Sequence, residues 1–556
     1  MPAFLTLHDP KRARAYYDSG LWTNDTFYSL MVAHAARAGD AVALRSGRTS
    51  LTWVELFRWV ESVAAALRAA GLTTGDRVSM WLSNRVEAVV TFLACSREGF
   101  ACNPSLHRTY ACPEVAALLA RLRAAAFVTE PDWGADRDER QLDRLLADLP
   151  SLRVVWQPDD FPRSGTGSDR EPSDDPDKIV YLAFTSGTTG APKCVMHSDN
   201  TLLANARDLV ADWEFDAETR LLTLSPLSHH IAWVAVGQWL VSGCQLITDD
   251  PPAGHGRLDW IAETGATYVM GVPTHAIDVL AEQKACGSDR IGQVEVFYMA
   301  GAPIPPSVAE TLARQGITPQ NVYGMTENSS HQYTHRDDAS EVVVGTCGRG
   351  GRAYQVQIFD PDDPDKPLGP GQVGEIGGRG ATLMLGYFGN QDATEASFNR
   401  EGWFLSGDLG SLDAHGNLKI EGRLKDLIIR GGHNIHPARI EAIALRHPGV
   451  HKAAAFPVPD DRLGEKACLA VTGTADGQAL LAFLLAEGLS KYDMPEYFVA
   501  MEALPLTASG KILKRELVEM LNRGDIAPEP LFFRPGRAEE GMDRFEEKRK
   551  SQFKDV

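Results

Sequence analysis

A loop rich in glycine and hydroxyl residues at positions 185–193 constrains this chain more than any other feature. The apolar run Lys178–Phe184 comes directly before it and predicts a buried strand. Within the loop, hydroxyl residues alternate with Gly187 and Gly190, and Lys193 closes the segment. Such a turn presents backbone N–H groups to an anion, and the hydroxyls and the lysine add further donors. The segment therefore predicts a phosphate-binding loop at the end of a strand, with a flexible surface turn as the alternative.

Four further motifs follow this loop in order, namely Asn321–Glu327, Trp403–Asp408, Gly422–Asp426 and Pro505–Lys511. Together the five segments make the chain similar to the acyl-adenylate-forming enzymes, the AMP-dependent synthetase/ligase superfamily, over roughly residues 25 to 520. Within that superfamily the chain resembles the acyl-CoA synthetases, in particular cyclohexanecarboxylate–CoA ligases and related aryl and medium-chain synthetases. Two positions depart from the family pattern. Cys194 replaces the glycine that usually follows the loop lysine, and His433 replaces a usual glutamate.

Helix and strand patterns alternate early in the chain, which predicts an α/β fold with layered sheets and helices. Thr52 and Glu55 form the pattern of a capping box ahead of apolar residues at helical spacing. A strand pattern over residues 75–82 follows, and a helix pattern begins at Arg85. Further on, Asp360–Pro370 predicts a turn, and glycine-separated runs up to Ile420 predict a small β subdomain.

A chain of 556 residues is too long for one ordinary core, so at least two domains are expected. We place a large N-terminal domain, which would bind ATP and the carboxylate, at residues 1–424. A small, mobile α+β domain is expected at 425–522. The charged segment 523–556 predicts a solvated tail, with a dimer-stabilising role as the alternative. No carrier domain is expected after Lys511, because only this tail follows it.

The composition is that of a globular protein, and the net charge of −19 argues against nucleic acid or an anionic membrane as a partner. The eight cysteines are scattered without a Cys-x-x-Cys pair, which favours a reducing compartment over a disulfide framework or a zinc site. No signal peptide is evident, and the apolar stretch 231–247 is too short and too polar to span a bilayer. These features predict a cytoplasmic protein.

The resemblance implies that ATP and Mg²⁺ bind to the motif residues. Glu327 would hold Mg²⁺, Thr326 would donate to a phosphate, and Tyr323 would stack on adenine. Asp408 would accept from both ribose hydroxyls, and Arg423 would add a directional contact. Taken singly, each carboxylate could equally serve a helix start or a surface ion pair. The implied nucleotide site comprises Thr185, Ser186, Gly187, Thr188, Thr189, Gly190, Lys193, Gly301, Ala302, Pro303, Asn321, Tyr323, Gly324, Asp408 and Arg423.

Two lysines would carry the reaction and its conformational change. In the family, the lysine that matches Lys511 reaches the carboxylate and the α-phosphate during adenylation. The catalytic set implied by the resemblance is Lys511, Glu327, Thr326 and Lys193. Lys425 matches the hinge about which the small domain turns between two half-reactions. Gly431 and Gly432 would then line the passage for the CoA pantetheine, because a missing side chain permits close approach.

The acyl pocket is specified less clearly. Its expected residues are His229, His230, Trp233, Gly237, Met299, Met325, Asn328 and Ser329. The paired histidines suggest metal at first sight, but adjacent side chains on a strand or helix point apart and no further ligand spacing accompanies them. Bulky Trp233 would shorten the pocket, which favours an aromatic, alicyclic or medium-chain monocarboxylic acid over a long fatty acid.

The sequence thus predicts a carboxylate–CoA ligase with ATP, Mg²⁺ and CoA as cofactor and cosubstrates. A small carboxylic acid would be the other partner, and a homodimer is left open. One alternative is an adenylating enzyme that passes its acyl group to a carrier protein. Another is a non-catalytic paralogue that only binds nucleotide, although the intact motif residues weigh against it. A luciferase-like oxidation is conceivable, yet nothing in the sequence calls for it.

Overall fold

The computed structural model describes residues 4–135, 137–163, 167–185, 192–506 and 512–531. By its internal contacts the chain divides into two compact units, with the boundary between Ile420 and Glu421. Each unit has its own hydrophobic core.

The first unit combines three sheets with helices, which confirms the predicted α/β class. Its helices α1 to α13 are, in order, Pro10–Asp18, Phe27–Ala38, Trp53–Ala69, Val86–Glu98, Cys112–Leu122, Glu139–Ala147, Asp199–Asp212, His230–Ser242, Arg257–Thr264, Pro273–Cys286, Pro306–Arg314, Ser340–Gly345 and Gln391–Glu395. Its strands β1 to β19 are Val42–Arg45, Ser50–Thr52, Arg77–Trp81, Ala101–Asn103, Ala124–Thr129, Val154–Trp156, Ile179–Thr185, Lys193–Ser198, Arg220–Thr223, Gln245–Thr248, Tyr268–Gly271, Val296–Ala300, Thr318–Met325, Ser329–Tyr333, Tyr354–Asp360, Asp363–Pro367, Gly374–Gly380, Phe404–Leu412 and Leu418–Arg423. The last of these strands crosses the boundary between the units.

Two of the three sheets are mostly parallel. One has the strand order β14-β13-β12-β11-β9-β10-β1-β2, with antiparallel pairs only at its ends, between β13 and β14 and between β1 and β2. The other has the order β6-β5-β3-β4-β7-β8, with β7 and β8 forming an antiparallel edge pair. Parallel sheets are normally covered by helices on both faces. Here α7 and α8 pack on each other, α7 against β7 and β8 and α8 against β9, β10, β11 and β14, so this pair lies between the two sheets.

Local sequence signals account for several elements. Thr52 caps α3 by accepting from the Glu55 N–H, and the Glu55 carboxylate accepts from the Thr52 N–H at 2.9 Å, which confirms the capping box. The predicted small β subdomain is the third sheet, of order β16-β15-β17-β18-β19. The prediction of a single turn over Asp360–Pro370 was wrong in its extent. Strand β16 lies inside this segment and pairs antiparallel with β15, so the chain already reverses in the short turn between Asp360 and Asp363.

The second unit is a smaller α+β arrangement. A one-turn 3₁₀ helix, Leu424–Asp426, precedes the regular elements. The strands β20 to β25 are Ile428–Arg430, His433–Ile435, Val450–Asp460, Gly464–Gly473, Tyr497–Ala500 and Glu529–Pro530, and the helices α14 to α16 are Pro437–Ala444, Gly477–Ala486 and Lys514–Arg523. Their sheet has the order β21-β20-β23-β24-β25, and β22 also pairs with β23. Among the described residues of both units, no helix is both long and apolar enough to cross a membrane.

Candidate active site

The predicted phosphate loop connects the two strands of the β7–β8 hairpin. Thr185 and Lys193 lie directly opposite each other in its register, so the hairpin holds the two ends of the loop together. The Thr185 hydroxyl donates to the Lys193 carbonyl at 3.4 Å. The loop residues Ser186, Gly187, Thr188, Thr189 and Gly190 lie outside the described residues, so their roles stay predictions.

Tyr387 lies at the side of this hairpin and was not singled out from the sequence. The Lys193 ammonium lies 4.6 Å from the centroid of its ring, a cation–π contact. Backbone bonding sets this position, because Val195 on β8 bridges to Tyr387 and the Phe388 N–H donates to the Cys194 carbonyl at 2.7 Å. The cysteine at position 194, where the family usually has glycine, does not affect this pairing, because only the Cys194 backbone takes part.

Glu327 is buried, and hydrogen bonds hold both its side chain and its backbone carbonyl. The Tyr387 hydroxyl donates to Oε1 of Glu327 at 3.0 Å, and the Met384 N–H donates to the Glu327 carbonyl at 2.7 Å. Burial raises the pKa of the Glu327 carboxyl, while the positive charge of Lys193 acts in the opposite direction. Within the described ranges this carboxylate forms no ion pair, so a bound cation would relieve the cost of its burial. Carboxylate oxygen is the donor type that Mg²⁺ prefers, and Glu327 fits that role.

Neighbouring Thr326 is fixed by a histidine that the sequence analysis did not notice. Nε2 of His197 donates to the Thr326 carbonyl at 2.6 Å. His197 is fully buried, and burial lowers its pKa to about 4. The neutral imidazole therefore persists at physiological pH.

Tyr323 and Asp408, predicted to contact adenine and ribose, are brought together. The Tyr323 hydroxyl donates to Oδ2 of Asp408 at 2.9 Å, and burial raises the pKa of Tyr323. The turn before Asp408 is held by the Ser406 hydroxyl, which accepts from the Asp408 N–H at 3.1 Å. His331 lies edge-on to the Tyr323 ring with 5.5 Å between centroids. Two motifs that are far apart in sequence thus meet at one place.

Other predicted nucleotide residues lie at the same edge of the large sheet. Strands β12 and β13 are parallel neighbours, so Gly301–Pro303 after β12 and Tyr323 near the end of β13 share the carboxyl edge, where open α/β sheets bind ligands. Gly324 lies where the pairing of β13 with β14 shifts register. The Asn321 amide donates to the carbonyls of Val343 and Thr346, so it holds the backbone beside β13.

Two of the residues predicted for the acyl pocket, His230 and Ser329, are in contact. His230 begins α8, and its Nε2 lies 3.0 Å from the Ser329 hydroxyl, while Nδ1 lies 3.3 Å from the Tyr181 hydroxyl. Ser329 has φ of +59°, a left-handed conformation that is uncommon for a residue with a side chain. His229 instead stacks on His107 with 4.3 Å between the ring centroids. The two adjacent histidines therefore point to different neighbours, as their spacing predicted.

Trp233 and Gly237 lie deeper along α8. Trp233 is 1% exposed, packs on Phe92 with 4.5 Å between ring centroids, and donates its indole N–H to the Leu227 carbonyl at 2.7 Å. A Cβ on Gly237 would lie 3.0 Å from the Cβ of Ala206 on α7. Close approach of the two helices thus gives Gly237 a packing role that the sequence did not suggest.

Met299 and its neighbour Tyr298 lie on opposite faces of β12. Side chains alternate along a strand, and Met299 on β12 packs with Phe297 and Ile304, whereas Tyr298 faces the core that contains Trp233. The Tyr298 hydroxyl lies 2.5 Å from the Ser330 hydroxyl. The assignment of Met299 to the acyl pocket stays a prediction.

Asn328 and Met325 lie on the Tyr354 and Tyr387 side of the unit. The Asn328 amide donates to the Tyr354 hydroxyl at 3.3 Å, and its Oδ1 accepts from the Met325 N–H at 3.0 Å. The Met325 side chain packs in the cluster that contains both tyrosines. Among the described residues, no group of three or more His, Cys, Asp or Glu side chains is arranged to hold a metal ion.

In the second unit, Gly431 and Gly432 form the two-residue turn of the β20–β21 hairpin. Arg430 and His433 are paired across it, and the two glycines have φ of +59° and +87°. A turn with two positive φ values matches the twist of a hairpin and favours glycine at both positions, which explains the pair by local geometry. His433 continues the hairpin, with Nε2 2.8 Å from Oδ1 of Asp493.

The other predicted residues of the C-terminal part are placed only in part. Arg423 ends β19, and Lys425 is the middle residue of the 3₁₀ helix. Lys511, for which the sequence predicts the largest catalytic role, lies outside the described residues. Its part in the site stays a prediction.

The fold and the clustered motifs define a nucleotide-dependent enzyme. Residues 31–388 match the model of the AMP-binding enzyme family, and residues 439–511 match the model of the AMP-binding enzyme C-terminal domain. The chain therefore belongs to the AMP-binding enzyme family, which confirms the resemblance seen in its sequence.

Curated relatives align over nearly the whole chain. It is 29% identical to the medium-chain fatty-acid–CoA ligase of Escherichia coli, over 92% of this chain and 93% of the relative. It is 32% identical to a feruloyl-CoA synthase of an Amycolatopsis species, over 89% and 99%, respectively. It is also 32% identical to the salicyl-AMP ligase / salicyl-S-ArCP synthetase of Mycobacterium tuberculosis, over 92% and 93%.

A solved structure agrees with this assignment. ATP-bound MatB from Rhodopseudomonas palustris superposes with a TM-score of 0.78 at 26% identity, covering 89% of this chain and 99% of that one. The family match and these relatives together support an adenylate-forming carboxylate ligase activity.

Proposed function

We propose that this chain is an ATP-dependent carboxylate–CoA ligase that forms acyl-CoA, AMP and pyrophosphate through an acyl-adenylate. The observation that carries the proposal is the contact of Tyr387 with both Lys193 and Glu327 beside the phosphate loop. It joins a cation, a hydroxyl and a buried carboxylate within reach of one another. Charge that gathers around a phosphorus atom needs such prearranged groups.

In the first half-reaction, a carboxylate oxygen of the acid attacks the α-phosphorus of ATP, and the bond to pyrophosphate breaks. Lys193 and the loop hydroxyls would bind the phosphates, and the Thr326 hydroxyl would donate to one of them. Glu327 would hold Mg²⁺, which when bound would neutralise part of the phosphate charge. Lys511 would contact the carboxylate and the α-phosphate in the transition state.

The nucleoside would be bound by groups at the sheet edge. Tyr323 would lie against adenine, with Gly301–Pro303 bordering the base. The Asp408 carboxylate would accept from the ribose hydroxyls, with Arg423 as a second contact. The bond from Tyr323 to Asp408 supports this assignment, because it holds one carboxylate oxygen in a fixed direction.

In the second half-reaction, the CoA thiolate attacks the acyl carbonyl and AMP leaves. Lys425 would be the hinge about which the second unit turns between the two steps, and Gly431 and Gly432 would border the pantetheine passage. The names of two aligned relatives, a medium-chain fatty-acid–CoA ligase and a feruloyl-CoA synthase, support CoA as the acceptor.

The acid is proposed to be an aromatic, alicyclic or medium-chain monocarboxylate. Trp233 fills the core behind His230 and would limit the depth of the pocket. The same two relatives carry a medium-chain and an aromatic acid in their names, which supports this range.

Transfer to a carrier protein is the second candidate, because one aligned relative is named a salicyl-S-ArCP synthetase. Pyrophosphate release over a panel of acids, followed by addition of CoA, tests both candidates. With a cognate acid, ATP and Mg²⁺, CoA should convert acyl-adenylate into thioester and AMP. If acyl-adenylate accumulates and CoA leaves it unchanged, the CoA assignment is wrong and the carrier alternative gains support. If no acid releases pyrophosphate, the non-catalytic alternative gains support.

A further inference from the structure

His197 lies four residues after Lys193 on β8 and has no exposed surface. Its Nε2 lies 2.6 Å from the Thr326 carbonyl, and its Nδ1 lies 3.0 Å from the Thr201 hydroxyl. A carbonyl oxygen can only accept a hydrogen bond, so Nε2 carries the proton. Nδ1 is then the unprotonated nitrogen that faces the Thr201 hydroxyl, and the two contacts together fix the ring orientation.

The bond to Thr326 acts directly on Glu327. The Thr326 carbonyl and the Glu327 N–H belong to one planar peptide unit. On the other side of Glu327, its own carbonyl accepts from the Met384 N–H at 2.7 Å. Each of the two peptide planes that flank Glu327 is therefore held by one hydrogen bond, and His197 supplies the first of them.

His197 also touches the acyl side of the site. Its ring stacks on that of His230, with 5.7 Å between centroids and 23° between planes. His230 in turn bonds to Ser329. One buried side chain thus contacts both the segment that carries Glu327 and the helix start expected at the acyl group.

Strand β8 connects this histidine to the phosphate loop. Residues at i, i+2 and i+4 of a strand share a face, so Lys193, Val195 and His197 lie on one side of β8. Val195 bridges to Tyr387, the residue that contacts both Lys193 and Glu327. A single strand therefore sets the spacing between the loop lysine and the peptide that presents Glu327.

We infer that His197 is a positioning residue for adenylation, whose Nε2–H holds the peptide between Thr326 and Glu327 so that the carboxylate faces the Mg²⁺–ATP complex. The inference rests on the proposed adenylation activity. Misplacing a group by about 1 Å can cost roughly 100-fold in rate, so the effect is large enough to measure.

The test compares three variants. His197→Leu keeps much of the volume but removes the donor and leaves the Thr326 carbonyl unpaired. His197→Gln can place an N–H near the position of Nε2 and should rescue. Thr201→Val removes the partner of Nδ1, together with the contacts of the same hydroxyl with the Ser198 backbone at the start of α7. It serves as the matched control, because it leaves the bond to Thr326 in place.

Two measurements on purified protein decide the outcome. In acid-dependent ATP–pyrophosphate exchange, His197→Leu should lower kcat about 10- to 100-fold and raise the half-saturating Mg²⁺ concentration, while His197→Gln stays within about fivefold of wild type. In calorimetric titration with a non-hydrolysable ATP analogue, the Leu variant should lose most of the affinity gained on adding Mg²⁺.

The possible results separate the inference from the proposed function. If wild type exchanges pyrophosphate and the folded Leu variant matches it in kcat and in Mg²⁺ dependence, the inference is overturned. Equal losses in the Leu and Gln variants, with the Mg²⁺ dependence unchanged, would also overturn it, because they indicate a packing role only. If wild type itself shows no exchange with any acid, the proposed function fails first, and loss of Mg²⁺-dependent analogue binding in the Leu variant alone would still support the positioning role.

Discussion

The Tyr387 hydroxyl donates a hydrogen bond to the Glu327 carboxylate, and the face of the Tyr387 ring contacts the Lys193 ammonium. One side chain therefore contacts both the group expected to hold Mg²⁺ and the lysine expected to bind phosphate. The phenolic O–H offsets part of the cost of burying the carboxylate, and the ring offers the lysine a weakly attractive surface that a phosphate can outcompete.

Tyr387→Phe tests this contact because it removes only the hydroxyl. A hydrogen bond to a charged group contributes about 1.5–3 kcal/mol, so adenylation should slow by about 10- to 100-fold. The measurement is ATP–pyrophosphate exchange at saturating acid, with the protein shown to be folded by circular dichroism.

Tyr333→Phe is the matched control for that variant. It removes a similar bond, from a buried tyrosine hydroxyl to Oδ2 of Asp212 at 2.6 Å, in which neither Lys193 nor Glu327 takes part. It should lower thermal stability without slowing exchange per folded molecule. Equal slowing in both variants would contradict the proposed role of Tyr387.

Asp408→Ala should abolish recognition of the ribose hydroxyls. Wild type should use 2′-deoxy-ATP with a kcat/KM about tenfold or more below that for ATP, because 2′-deoxy-ATP lacks a hydroxyl that would donate to the Asp408 carboxylate. In the variant the two nucleotides should become nearly equivalent. Asp413→Ala, on the following turn, should preserve the wild-type preference. If Asp408→Ala still prefers ATP to 2′-deoxy-ATP, Asp408 does not bind the ribose hydroxyls.

Trp233→Ala should admit longer acids by opening a cavity behind His230. Truncating a buried tryptophan costs about 3–5 kcal/mol, so Tm should fall as well. Trp239→Ala is the control, because Trp239 is equally buried on α8 but stacks on Trp53 at 5.0 Å. A pyrophosphate-release profile over acids of increasing length should shift only for the first variant. Unchanged profiles in both would mean that the pocket wall lies elsewhere.

The two half-reactions should separate at Lys511 and Lys425. Removing the Lys511 ammonium deletes a contact made mainly in the adenylation transition state, so Lys511→Ala should slow that step by about 10²–10³-fold. It should still convert supplied acyl-adenylate and CoA to thioester. Lys425→Pro should show the reverse pattern, because proline fixes φ at the hinge. Equal damage to both steps in both variants, in single-turnover assays, would contradict the proposal that the second unit turns about Lys425 between the two half-reactions.

The buried carboxyl of Asp208, which lies outside the predicted active site, should make the stability of the protein depend on pH. Burial raises the pKa of its carboxyl from 3.8 to about 6, with Asp212 raising it further and the Ala353 N–H and Arg352 opposing. The folded protein keeps this proton at pH values where the unfolded chain has released it. The resulting stabilisation is complete below about pH 4 and is lost as the pH rises through about 6.

Asp208→Asn replaces the titrating carboxyl with a neutral amide, so the variant should lose more thermal stability relative to wild type at low pH than at high pH. The Tm of wild type minus that of the variant should be larger at about pH 4.5 than at about pH 7.5. Asp143→Asn, at an exposed position on α6, should give the same small difference at both values. A difference for Asp208→Asn that does not change with pH would contradict the assigned cause.

Local sequence patterns predicted several elements of the fold and individual residues of the candidate site. The capping box at Thr52 and Glu55 depends on four neighbouring residues, and the strand before the phosphate loop on a short apolar run, so both could be predicted. Glu327 and Asp408 could be singled out because each lies in a motif of the family. Each of these signals is contained within a short window of sequence.

The contacts among these segments could not be predicted in the same way. Tyr387 reaches Glu327 across 60 residues of chain, and His197 reaches Thr326 across 129. No local pattern marks either residue, because their positions follow from which strands become neighbours in the folded sheets. The sides of β12 could not be assigned either, since a strand buried on both faces shows no polar alternation along its sequence.

The pairing of β7 with β8 determines which changes of chain length the protein can tolerate. A segment exchanged between Thr185 and Lys193 would alter the phosphate loop, yet both strands would keep their partners. One residue added or removed between Lys193 and His197 would instead turn every following side chain of β8 to the opposite face, since strand side chains alternate with a period of two. Chimaeras with related ligases should therefore be joined before Ile179 or after Ser198, so that the whole hairpin is inherited from a single parent.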